Sequence, residues 1–142
     1  MKKVLLPFVS ACSLFGLAIA AFPLQAHHSF AMFDQSRKVT IEGKISDIQW
    51  TNPHTWIYVD VTGEDGEVVT WGIELTSKVH LTRRGFPIDQ LSVGDEGTFA
   101  MSPYADGRPG GRFWTLETTK GVVHRDPGAQ RAFERAQAAN SQ

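Results

Sequence analysis

Between residues 39 and 121 the chain is a succession of short runs in which apolar and polar residues alternate, each run closed by turn-forming residues. A period of two puts successive side chains on opposite faces of a strand, so such a chain buries one face of a sheet and is not built mainly of helices. The clearest run is Trp56 to Thr62, in which Trp56, Tyr58 and Asp60 alternate with Ile57, Val59 and Val61. Gly63-Glu64-Asp65-Gly66 closes a hairpin into a strand over 67–75, where Val69, Trp71, Ile73 and Leu75 share the expected core face.

The run before it places Val39, Ile41 and Ile45 on one parity and Ile48 and Trp50 on the other, which predicts one bent strand with a bulge near Ser46-Asp47. Thr51-Asn52-Pro53-His54 is turn chemistry. Thr76 or Ser77 can cap a short helix through Arg84, with Val79 near its inner side and Gly85 as a left-handed stop. A fourth strand over 97–102, a flexible glycine-rich loop over 105–111 and a fifth strand over 112–119 follow.

Three strands, a helix and two strands is the order of an OB-type barrel. The expected fold class is therefore all-β with one short helix, a small five-stranded OB-like barrel, although a small open sheet with one helix shares that order. Segment 129–142 has helix formers but Phe133 as its sole large apolar residue, which predicts a frayed helix or tail.

Residues 1–26 read differently. Met1-Lys2-Lys3 precedes an almost charge-free apolar run from Val4 to Leu24 and then Gln25-Ala26, the layout of a secretory signal. Pro7, Pro23 and several small residues weaken the same run as a membrane anchor, so no stable span is expected after cleavage. Three cuts compete, after Ala26, after Ala20 and at a loose lipoprotein-like box ending in Cys12, and they rank in that order. The expected organisation is a signal at 1–26, a barrel domain at 27–124 and a C-terminal tail at 125–142, with the protein in the periplasm.

Removal of 26 residues from 142 leaves 116; Lys2 and Lys3 leave with them, so 12 basic residues face 15 acidic ones and the net charge is −3. A mildly acidic exported domain is a poor holder of nucleic acid by phosphate neutralisation, and no nucleic-acid partner is expected. Cys12, the single cysteine, lies in the signal, so metal chemistry in the mature chain must use histidine, carboxylate or backbone. No nucleophile elbow, catalytic carboxylate pair or phosphate-binding glycine loop is present in the sequence.

The sharpest chemical feature is His27-His28-Ser29-Phe30. A cut after Ala26 gives His27 a free α-amine beside its imidazole, and an α-amine that titrates near pH ~7.7–8.0 can deprotonate for a metal at neutral pH. A second imidazole would complete a three-nitrogen site of the kind called a histidine brace, and His54, beside the stiffening Pro53, is the natural donor. Imidazole with amine nitrogen suits copper. His28 offers a rival mode through amine, intervening amide and imidazole. Solvated histidines at a chain end fit the same residues, and His54 also has a reading, compatible with the first, in which its ring donates to a carbonyl and holds its own turn together.

His80, on the expected helix, and His124, near the tail, read as ordinary residues, and Asp34, Asp60 and Glu74 as solvent-exposed carboxylates, with Glu74 able to approach the first loop if the barrel closes. Trp50, Trp56 and Tyr104 head the large rings available to stack a ligand on a barrel face, while at least two of the tryptophans belong to the core by parity.

His27-His28-Ser29-Phe30-Ala31-x-Phe33-Asp34, Gly43, Trp50-x-Asn52-Pro53-His54 and Gly94-Asp95 together resemble a widespread group of small exported bacterial proteins of unknown function. The resemblance spans nearly all of residues 27–121 and implies a periplasmic, single-domain protein whose mature end is His27. It implies no reaction and no active-site residue. The expected role is thus a periplasmic copper-binding carrier or sensor, binding rather than catalytic, with His27, His54 and His28 as ligands and a metal ion or periplasmic protein as partner. The alternative is a non-metal OB-like module that holds a peptide, glycan or partner protein on Trp50, Trp56 and Tyr104.

Overall fold

The structure, a computed structural model, describes residues 31–141. Its strands are β1 (Val39–Gln49), β2 (Trp56–Thr62), β3 (Val68–Glu74), β4 (Glu96–Pro103), β5 (Gly110–Thr118) and β6 (Val123–Arg125). A short helix α1 (Lys78–Arg83) and a 3₁₀ turn (Ile88–Gln90) join β3 to β4, and a longer helix α2 (Pro127–Asn140) ends the described chain.

The strands run in the order β3-β2-β1-β4-β5-β6, and β3 also pairs with β5 in parallel through Gly72↔Gly110, Ile73↔Gly111 and Glu74↔Arg112. That pairing closes the first five strands into the expected OB-like barrel, with β6 as an added edge strand. Sequence closes the seam at its glycines. Gly110 has φ +134, and a Cβ there or at Gly111 would collide with the backbone carbonyl of Gly72 or of Ser102.

The core lies inside the barrel, where Ile45, Ile57, Val59, Ile73, Phe99 and Leu116 are wholly buried. β1 shifts register between Ile45 and Asp47, the expected bulge, which lets one strand serve both β2 and β4. Two core expectations change. Val69 is 43% exposed, because the β3–β5 seam covers only Gly72–Glu74 and the start of β3 runs out beyond it with its hairpin. Val79 is 46% exposed, and Leu81, about 200° further round a helical turn, faces the core instead. Ser77 caps α1 by accepting from the His80 N–H, and Gly85 ends it at φ +68, as expected.

Helix α2 begins with Asp126 as its cap, which accepts from the Gly128 N–H, and has Pro127 at its first position. It seals a separate small core outside the barrel, where Trp114 meets Phe133 edge-on at 5.0 Å between Ala100 and Ala129. Buried Trp114 donates its indole N–H to Ser102 Oγ at 2.8 Å. Among the described residues no helix is long and apolar enough to cross a membrane.

A histidine–carboxylate pair at the barrel rim

His54 sits in the loop between β1 and β2, and its position follows from the hairpin register. Trp56 pairs with Glu74, and backbone bonds from Leu75 N to Thr55 O and from Thr55 N to Thr76 O carry the ladder past the strand ends. His54, Trp56 and Tyr58 share a parity, so His54 becomes the diagonal neighbour of Glu74 on the outer face of the sheet. The loop is held from below by Thr55, which is wholly buried and donates its hydroxyl to Thr51 O at 3.3 Å, and it contains a cis Asn52–Pro53 bond.

The His54 ring is hydrogen-bonded through Nδ1 to Glu74 Oε1. A carboxylate only accepts, so Nδ1 carries the proton and, in the neutral ring, Nε2 presents its lone pair. His54 keeps 40% of its side chain exposed while Glu74 keeps 10%. This corrects two expectations: Glu74 is buried rather than solvated, because closure against β5 brings Arg112 beside it, and His54 bonds this carboxylate rather than a carbonyl of its own turn.

A cavity of about 100 Å³ lies at the pair, lined by Phe33, His54, Glu74, Thr76, Arg112 and Asp126 among others. Burial lowers the Arg112 guanidinium from its ordinary range, while Asp126 and Glu74 pull it back, and an arginine stays charged throughout. Asp126 is also paired with Arg84, whose Nη1 lies 3.5 Å from its Oδ1, so the two carboxylates of the cavity are balanced by two guanidinium groups.

Phe33 brings the upstream chain to this place. Asp34 N donates to Pro103 O at 2.8 Å and Ala105 N to Met32 O at 2.9 Å, so residues 32–34 lie along the chain leading into the β4–β5 loop. Phe33 stacks on Tyr104 at 5.0 Å. His27 and His28 lie outside the described residues, and among those described no group of three or more histidine, cysteine, aspartate or glutamate side chains could hold a metal ion.

The aromatic candidates separate. Trp56 and Tyr58 stack with centroids 6.1 Å apart over Gly72, which carries no side chain to displace them. Trp50 stacks on Phe86, and Tyr104 is buried beneath the Arg108 guanidinium, 3.7 Å from its ring centroid. His80 is exposed, with Thr76 Oγ1 at 3.4 Å from its ring, while His124 on β6 is half-buried against Phe86 and Phe113. Asp34 accepts from Ser36, and Asp60 accepts from Thr70 Oγ1 at 2.7 Å. Sequence reasoning reached Glu74 only as a carboxylate able to approach the first loop if the barrel closes, as it does, and missed Arg112 as a site residue. The signal was the hairpin register, which aligns the parity of His54 and Trp56 with that of Glu74.

A family model described as a family of unknown function, DUF6152, matches residues 14–113. No curated protein and no solved structure matches the chain.

Proposed function

Because the chain belongs to this family of unknown function, a role must be argued from its own residues, and we propose that it is an exported copper-binding protein, a carrier or sensor rather than a catalyst. The supporting observation is the His54–Glu74 pair. Metal-bound histidines are commonly oriented by a carboxylate on the other ring nitrogen, which fixes the tautomer and raises ligand basicity, and His54 has that partner in place.

The remaining donors are the α-amine and imidazole of His27 after cleavage behind Ala26, with His28 as a substitute. Phe33 lines the His54 cavity, and six residues span at most about 20 Å, so His27 is tethered within range of His54. Neutral nitrogen donors favour copper over other divalent first-row ions. Amine and His27 imidazole supply two nitrogens and His54 Nε2 the third.

Titration of the mature protein with Cu(II), followed by the ligand-field absorption of the bound ion, tests this. His54→Ala weakens binding at least tenfold while circular dichroism stays that of the folded barrel; unchanged affinity removes His54 from the site. The Trp56–Tyr58 stack over Gly72 favours a second reading, a module that holds a peptide, glycan or partner protein on β2 and β3. That reading requires Trp56→Ala to abolish capture and metal chelation to leave it intact.

A further inference from the structure

A second cavity, of about 520 Å³, opens between α1, β6 and the start of α2, within the range of small-molecule sites. Its floor is apolar: Leu75, Leu81 and Phe113 line it and are otherwise buried. Three arginines, Arg84, Arg125 and Arg131, also line it, against Asp126 as its single acidic residue. Arg84 Nη1 lies 3.5 Å from that carboxylate, which therefore offsets one of the three charges. Arg125 and Arg131 are both exposed and form no ion pair with a described carboxylate. Such a pocket repels cations and gives a purely apolar ligand nothing to set against its cationic walls.

We propose that this pocket binds a small amphipathic oxyanion, with a carboxylate or phosphate head held by Arg125 and Arg131 and an apolar body laid on Leu75, Leu81 and Phe113. The planar fork of arginine matches both heads in bidentate fashion, and the apolar floor selects a ligand with a hydrocarbon or aromatic body over inorganic phosphate. His124 also lines the pocket; burial holds its imidazole below the usual histidine range, so near neutral pH it adds an uncharged face to the wall. Leu75, Thr76 and Asp126 line this cavity and the His54 cavity alike, so the two sites share a wall.

The probes are octanoate, octyl phosphate and 1-octanol, titrated into the metal-free mature protein and followed by amide chemical shifts. Saturable shifts at Leu75, Leu81 and Phe113 are expected with octanoate or octyl phosphate, and binding at least tenfold weaker with 1-octanol. Comparison of the two anions identifies the preferred head, and either order supports the shared chemistry. The double variant Arg125→Gln/Arg131→Gln, at exposed positions that leave the fold intact, loses at least tenfold for the anions and little for the alcohol. Equal binding of 1-octanol and octanoate, an unaffected double variant, or no saturable binding of either anion overturns the proposal. Copper binding plays no part in the readout, so its failure and this one are separable.

Discussion

His54 and Glu74 show how a single hydrogen bond can decide what an imidazole is available to do. With Nδ1 committed to a buried carboxylate, the ring is fixed and its other nitrogen is the one offered. If that orientation serves a metal, Glu74→Gln, which can still bond Nδ1 but without the charge, weakens Cu(II) binding about 10–100-fold in calorimetric titration without removing a ligand. An unchanged affinity would make the pair a structural clasp only. Asp95 illustrates a carboxylate spent on stability instead. Its bond from the Lys120 ammonium holds its carboxyl below the ordinary 3.8, the Ser92 N–H helps, and burial opposes them. A depressed folded pKa contributes stability that is present above the unfolded value and lost as pH falls through the folded one. The melting-temperature gap between the native protein and Asp95→Asn is therefore steady near neutrality and shrinks as pH falls below 3.8; a gap that holds down to pH 2 would contradict this.

At the scale of elements, the barrel depends on a seam only three residue pairs long between β3 and β5. Gly110→Ala places a methyl group against the Gly72 carbonyl and forces a φ of +134 on a residue with a side chain, so it costs about 3 kcal/mol or more in urea unfolding. Helix α2 is attached differently, by Phe133 on Trp114 and by Ala129. Phe133→Ala costs about 2 kcal/mol and raises hydrogen exchange in α2 before it does so in the barrel. The strands were legible in the sequence because period-two alternation and glycine turns are local signals, and Ser77 and Gly85 marked the ends of α1 for the same reason. Val69 and Val79 misled because burial there depends on where the seam ends and which way a six-residue helix is turned, and both are tertiary facts. Strand β6 is three residues long, too short to show a period.

For the whole molecule, closure turns separate sequence features into one site. Parity puts His54 and Glu74 on the same side, but only the parallel β3–β5 pairing sets Arg112 beside Glu74. The backbone bonds of residues 32–34 to Pro103 and Ala105, together with the Phe33–Tyr104 stack, bring the upstream chain to the same rim. These contacts join residues far apart in the chain, which is why His54 was legible as a candidate from its turn, Glu74 only as a carboxylate that closure would bring near, and Arg112 not at all. The central proposal is that His27, freed by cleavage after Ala26, meets His54 around a copper ion at this rim. Native mass spectrometry of the protein recovered from the periplasm of a copper-fed culture tests it most directly, since one spectrum gives both the processed end and the bound ion. The account predicts a chain that begins at His27 and retains one copper; a chain that begins at Ala21, or one that begins at His27 and carries no metal, would contradict it.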